Sequence, residues 1–270
     1  MTVRLPPLSP DVEWSVCVRD AMTSEVLAAV SPELVVRTAS IGKLFLLIEI
    51  ARQAGAGELD LGEELGRTAE DLVADSGLWH LMRRNTFTVE DLCWLVGGFS
   101  DNLATNVLVR RVGIPAVGAT SSSLGFVRSA LLDRVRDDRG PDDPWTLSAG
   151  NADELSDLMA RLHRGDIVSP EVSARVLRWV AANADLSMVA YAFGLDPLAH
   201  AESDRGITLV NKTGTISTVR GDVGVVAGPG GSVAYAVLAS WPEIPIEDPR
   251  DRVLAEMASI GAVIRARIGA

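Results

Sequence analysis

Apolar and polar positions alternate along Val12-Glu13-Trp14-Ser15-Val16-Cys17-Val18, the period of two that a half-buried strand shows. Asp20–Glu25 reads as a turn, with Val26–Val30 and Leu34–Arg37 as further short strands. At Ser40 the period changes. Ile41, Leu44, Phe45, Leu47, Ile48 and Ala51 describe a helix that is apolar nearly all round and ends near Gly55; such a helix belongs in the middle of a domain. Helical spacing recurs in Thr88–Phe99, Asn102–Val112, Asn151–His163 and Pro170–Asn183. Thr88, Ser148 and Ser169 stand where N-caps belong, and Pro170 takes a first helical position. Past Gly206 the strand period returns in Ile207–Lys212, Asp222–Ala227 and Ser232–Ser240, the last two joined by a hairpin turn at Gly228-Pro229-Gly230-Gly231. Asp248-Pro249 opens a closing helix with Val253, Leu254, Met257, Ile260 and Ile264 on its apolar face.

Strands at both ends around a helical middle imply one sheet assembled from both termini. The expected class is therefore mixed α/β (α+β): an antiparallel sheet flanked by helices, with an inserted all-helical domain. Residues 11–37 and 204–270 would form the discontinuous α/β domain, residues 38–203 the helical one, and the active site would lie in the cleft between them.

A hydrophobic content of 47% in 270 residues is ample for a full core. The net charge of −11 argues against nucleic acid as a partner, because no basic run exists to displace counterions from phosphates. It equally opposes docking on an anionic membrane. The first residues lack the apolar stretch of a secretory signal and no apolar run is long enough to span a bilayer, so the expected location is the cytoplasm. Cys17 and Cys93 both lie in apolar stretches and are expected as buried free thiols.

Charge composition then singles out two positions. The chain has only two lysines, Lys43 and Lys212, against twenty-three arginines. Arginine is never neutral, whereas a lysine amine can be made so by burial or a neighbouring charge. Lys43 closes Ser40-Ile41-Gly42-Lys43, which puts serine and lysine on one face at a helix start. The free N–H groups there make a positive end that disfavours a second cation and so favours a neutral amine able to take the Ser40 proton. Between the lysines lies Ser100-Asp101-Asn102, at a helix junction where Ser or Asp could serve as a cap. Ser100 can also relay a proton to a leaving nitrogen, and Asn102 can bind a substrate carbonyl and Lys43. Lys212-Thr213-Gly214 ends a strand, where Lys212 can stand as a cation beside Ser100, Thr213 can bind a carboxylate, and Gly214 leaves room for an extended ligand.

Other schemes fare worse. Gly98-Phe99-Ser100-Asp101-Asn102 lacks the second glycine of a nucleophile elbow and no strand leads into it. His80, His163 and His200 have no obvious partner and read as helical surface residues, not as triad members or zinc ligands. Gly42-Lys43 has neither the earlier glycine nor the following hydroxyl of a phosphate loop. No metal or cofactor is expected.

Ser-x-x-Lys, Ser-Asp-Asn and Lys-Thr-Gly in this order form the signature of penicillin-recognising serine enzymes. The chain resembles the class A serine β-lactamases and their β-lactamase-like relatives over nearly its whole length. Thr88-Val89-Glu90-Asp91-Leu92-Cys93 leading into Phe99-Ser100-Asp101-Asn102-Leu103-Ala104-Thr105-Asn106 is similar to that family's stretch around its second motif. The resemblance implies a β-lactamase/transpeptidase-like fold and acyl transfer through a Ser40 ester, with a β-lactam or related carboxylate-bearing amide as the small-molecule substrate. It implies Lys43 as acylation base, Ser100 as proton shuttle, Asn102 as ligand binder, and Lys212 and Thr213 as carboxylate anchor with Arg220 as accessory cation. The backbone N–H groups of Ser40 and Thr215 would form the oxyanion hole.

One departure cuts against turnover. The family's loop carries Leu-Asp-Arg, an aromatic residue and then the glutamate that activates the deacylating water; here Leu132-Asp133-Arg134-Val135 leads to Arg136. The asparagine that helps hold that water is replaced by Gly140. A cation cannot serve as general base; the loop holds Asp137, Asp138, Asp142 and Asp143 but no glutamate, and Asp138, two residues on, is the favoured substitute. Two rivals share these residues: a peptidase or esterase acting on a small amide or ester, and a penicillin-binding protein that acylates and stops.

Overall fold

The structure is a computed structural model that describes residues 3–74, 76–200, 202–243 and 247–269. Among the described residues the chain runs through β1 (Glu13–Asp20), β2 (Val26–Val30), β3 (Val36–Arg37), α1 (Lys43–Gly55), β4 (Glu64–Gly66), β5 (Thr86–Thr88), α2 (Val89–Phe99), α3 (Asn102–Val112) and α4 (Ile114–Ser123). It continues through β6 (Ala130–Leu131), β7 (Ser148–Gly150), α5 (Ala152–Arg164), α6 (Pro170–Val180), β8 (Thr208–Ile216), β9 (Val219–Gly228), β10 (Gly231–Ser240) and α7 (Arg250–Arg267).

The two ends of the chain meet in one antiparallel sheet of order β2-β1-β10-β9-β8. Its side chains sort by the period of two. Val16, Val18, Val233, Tyr235 and Val237 enter a core with Val253, Met257, Ile260 and Ile264 of α7. Cys17, Ala234, Ala236 and Leu238 face the opposite way, into a core with Leu44, Phe45, Leu155 and Met159 of α1 and α5. Strand β1 is thus covered on both faces and not half-buried as its alternation suggests. Its polar side chains are reconciled with burial individually. Ser15 Oγ donates to Pro32 O and accepts from Ala152 N, and Arg19 pairs with Asp153 at 2.7 Å.

Other expectations change in detail. The strand placed at Leu34–Arg37 shrinks to two residues. Thr88 and Ser169 cap α2 and α6 through Asp91 N and Val172 N, but the cap of α5 is Asn151, which accepts from Glu154 N. Ser148 lies instead in β7, where its buried hydroxyl donates to Ala39 O at 2.5 Å and bonds Thr38 Oγ1 at 2.7 Å. Helix α4 is unannounced in the sequence, because Ala116–Ser123 is built from small residues with little apolar contrast. His200 is buried with Nδ1 against Asp196 O, not a helical surface residue. Cys17 and Cys93 are buried free thiols, and burial pushes the Cys93 thiol up. No described helix is long and apolar enough to cross a membrane.

Candidate active site

Ser40 sits in a 3₁₀ turn, Ala39–Gly42, and α1 begins only at Lys43. Two features hold this turn. The Ser148 hydroxyl pins its first carbonyl, and β8 packs directly behind it at Gly214. A Cβ on Gly214 would lie 2.2 Å from Thr38 O and 3.2 Å from Ile41 N. The glycine therefore lets the turn touch the strand; it does not clear space for a ligand, as the sequence suggested.

Ser100 faces this turn from the end of α2, in the left-handed conformation (φ 54°). Ala39 is left-handed as well (φ 47°), so a non-glycine residue is held in a strained state on each side, at about 1–3 kcal/mol apiece. Asp101 supplies the compensation. One carboxylate oxygen caps α3 by accepting from Ala104 N, while the other accepts from Leu78 N and Trp79 N. The sequence offers Asp101 as a cap but gives no sign that it also fixes the 76–79 segment.

Both lysines are fully buried and meet at Ser100. Lys43 Nζ donates to Ser100 O (2.6 Å), Asn102 Oδ1 (2.8 Å) and Ser100 Oγ (3.3 Å). Lys212 Nζ donates to Ser100 Oγ (3.0 Å) and Thr213 O (2.9 Å). Burial lowers the Lys212 ammonium to about 8, against the pull of Asp185 and Asp222. Behind it, buried Asp222 accepts from Asn211 Nδ2, Tyr235 OH and Ala190 N, and burial raises its carboxyl to about 7.

Two cavities of about 350 and 330 Å³ share Ser40, Ser76 and Thr215. The first is lined also by Ser100, Thr213 and the Asn183–Asp185 wall. The second is lined by Asn102, Arg37, Arg136, Asp137, Arg139 and Trp145 among others. Ser76 and the Asn183–Asp185 wall were not anticipated as lining residues; Asn183 was read as the end of a helix that in fact stops at Val180, and the others lie in loops without periodicity or motif.

Two sequence-derived candidates, Arg220 and Asp138, are placed differently from expectation, while Arg136 lies at the site as expected. Arg220 lines neither cavity: its guanidinium donates to Ile216 O and Val219 O and stacks over Trp241 at 5.7 Å. Carbonyls left at the β8–β9 turn and an aromatic face outcompete the cleft for it. Asp138 is exposed and also lines neither cavity; Asp137 does, with its carboxylate accepting from Ala74 N. Arg136 lines the second cavity but is locked to Asp133 (2.7 Å) and Asp143 (3.0 Å), while Asp133 also pairs with Arg139. Asn106 fastens this loop to α3 through Val135 N and O. No cluster of three or more His, Cys, Asp or Glu able to hold a metal ion occurs among the described residues.

The beta-lactamase enzyme family model matches residues 8–268. The chain belongs to that family. A β-lactamase of Rhodobacter capsulatus is 28% identical over 192 residues, 68% of this chain, and the match spans only 60% of that relative's length. Among solved structures, the β-lactamase of Sphaerobacter thermophilus superposes with a TM-score of 0.81 at 24% identity, covering 96% of this chain and 92% of that one. A mutant of PBP-A, solved as its acyl-enzyme complex with penicillin-G, superposes with a TM-score of 0.79 at 21% identity, covering 95% and 90%. These two likenesses extend to the fold: an antiparallel sheet flanked by helices.

Proposed function

We propose that this chain is a serine hydrolase acting by acyl transfer through a Ser40 ester, with a β-lactam or related carboxylate-bearing amide as substrate. The observation that carries the reading is the convergence of Lys43 and Lys212 on Ser100 Oγ beside the Ser40 turn. Once Lys43 holds the Ser40 proton, both lysines are ammonium donors to the Ser100 hydroxyl, whose own proton is then directed elsewhere. In this reading it goes to the leaving nitrogen.

Ser40 Oγ attacks the amide carbonyl as Lys43, in its neutral form, takes the hydroxyl proton. The oxygen of the tetrahedral adduct lies between the N–H groups of Ser40 and Thr215, both at the junction of the two cavities. When the C–N bond breaks, the nitrogen receives the Ser100 proton, and Ser100 regains one through the lysines. Lys212 and Thr213 bind the substrate carboxylate, and Asn102 orients Lys43 and the substrate amide. The cleft lies between the helical segment 38–203 and the α/β part formed by 11–37 and 204–270.

A second reading has its own observation. Arg136 stands in the loop where a base is needed, tied to two carboxylates, which favours a penicillin-binding protein that acylates and turns over slowly if at all. Intact-mass spectrometry with benzylpenicillin tests the common step. An adduct of one whole penicillin should map to the Ser40 peptide and vanish in Ser40→Ala; an adduct that persists in that variant, or a parent protein that neither forms an adduct nor hydrolyses penicillin, overturns the function.

A further inference from the structure

The second cavity holds a cation with no carboxylate partner. Of the three arginines that line it, Arg136 is held by Asp133 and Asp143, and Arg139 by Asp133 and Pro144 O. Arg37 differs. Its Nη2 donates to the Thr218 hydroxyl at 2.7 Å, and among the described residues no acid lies within ion-pair distance of it. The Thr218 bond fixes one edge of the guanidinium to the β8–β9 turn, and a guanidinium has five N–H donors, so others remain for a ligand. Arg37 is half-buried and three residues before Ser40, on the strand that feeds the nucleophile turn. Across the same cavity stands Trp145, an exposed indole that offers an apolar wall. Asp137, the acid that also lines this cavity, is engaged by Ala74 N.

The other side of Ser40 already has its cation. Lys212 Nζ is bonded to Ser100 Oγ and Thr213 O, on two residues that line the first cavity, whereas Arg220, the second cation expected there, is turned away to carbonyls and Trp241. Cations at the cleft therefore stand on opposite sides of the nucleophile, and a substrate that engages both carries two anionic groups.

We infer that the second cavity takes the acyl portion of the substrate and that Arg37 reads a carboxylate at its far end, with the intervening chain against Trp145. The substrate class is an amide with one carboxylate on the leaving-nitrogen side and another on the acyl side. This rests on the Ser40 acyl-transfer reading and adds a specificity to it. A guanidinium–carboxylate pair in a partly enclosed site is charge-assisted and geometrically selective, and its loss is typically felt as about tenfold or more.

The test uses a matched pair of penicillins, one with a hexanoyl and one with an adipoyl side chain, equal in length and differing only in the terminal carboxylate. Second-order acylation rate constants are read by intact mass. The wild-type protein should favour the adipoyl compound by about tenfold or more, the ratio should fall toward one in Arg37→Gln, and Arg37→Lys should recover part of it. Added salt should reduce the wild-type ratio, because the pair is only partly buried. A wild-type ratio at or below one overturns the proposal without recourse to any variant, as does a ratio unchanged in Arg37→Gln. Acylation by neither compound overturns the Ser40 reading itself, and the Arg37 proposal with it; acylation by both at equal rates removes only the latter.

Discussion

Lys43 and Lys212 aim their ammonium groups at one oxygen, Ser100 Oγ, from 3.3 and 3.0 Å. Two fully buried cations sharing an acceptor repel each other, and the cost falls if one is neutral. In the proposed acyl transfer Lys43 would be the neutral amine and Lys212 the cation. Lys43→Arg keeps the charge and removes the neutral form. The expected outcome is a loss of Ser40 labelling of about 10²-fold or more, the usual worth of a general base. Full labelling rates in Lys43→Arg would eliminate its role as base.

The partner cation sets an upper pH limit. Burial holds Lys212 near 8, so the free protein loses this charge as pH rises through 8. The second-order rate constant for acylation by a carboxylate-bearing β-lactam should fall above that pH, since this constant reports the free protein's ionisations. Lys212→Arg stays charged and should lack the alkaline fall, whatever its absolute rate. Identical alkaline limbs in the two proteins would assign the fall to another group.

The meeting of Lys43 and Lys212 at Ser100 was legible in composition: two lysines in a chain full of arginines, each beside a serine or threonine motif. The sheet was legible for a different reason, since the alternation in β1 and β10 survives burial on both faces. What escaped was geometry made by single contacts across distant segments. Nothing in the sequence separates the cap made by Asn151 from the hydroxyl of Ser148 three residues earlier, which instead pins Ala39 O. Nor does it show that Arg220 finds carbonyls before it finds the cleft.

Gly214 gives a direct test of one such contact. In Gly214→Ala the new methyl would sit 2.2 Å from Thr38 O, so the Ser40 turn or β8 must move. Overpacking of this kind costs about 1–3 kcal/mol. Denaturant midpoints should fall accordingly, and Ser40 acylation should slow by about tenfold or more even at temperatures where the variant is fully folded. A variant with native stability and native labelling would show that the turn does not depend on this approach.

Asp222 makes a pH-dependent contribution to stability of the opposite sign to an ordinary ion-paired acid. Its folded carboxyl is raised to about 7, mainly by burial, and the unfolded one titrates near the usual 3.8. Between those values the folded chain holds a proton that the unfolded chain has released. Asp222 therefore lowers stability progressively as pH rises from about 4 to about 7, with no further change above. The Tm of wild type minus that of Asp222→Asn should shrink as pH is raised from 5.5 to 7 and then level off. A difference that stays flat across this window would mean that the three donors from Asn211, Tyr235 and Ala190 offset burial.

In the proposed reaction the loop from Leu132 to Trp145 would govern the fate of the acyl-enzyme. Asp133 binds both Arg136 and Arg139, Asp143 binds Arg136 and the Gly140 N–H, and Asn106 ties Val135 to α3. This is an ion-paired scaffold with no carboxylate aimed at a water from position 136, and Asp138 is exposed outside both cavities. Loss of a positioned base removes about 10²–10⁴-fold from the attack of water on the ester. Penicillins should give a burst of about one equivalent followed by slow release, with the acyl-enzyme accumulating in mass spectra. Arg136→Glu alone should not repair this, because the new carboxylate would face Asp133 and Asp143; it should instead lower Tm and leave the acyl-enzyme long-lived. Arg136→Glu with Asp143→Asn relieves part of that repulsion and is the better background in which to seek restored turnover. Fast steady-state hydrolysis by the unaltered chain, surviving Asp137→Asn, would place water activation outside the loop, with Lys43 as the nearest group able to supply it.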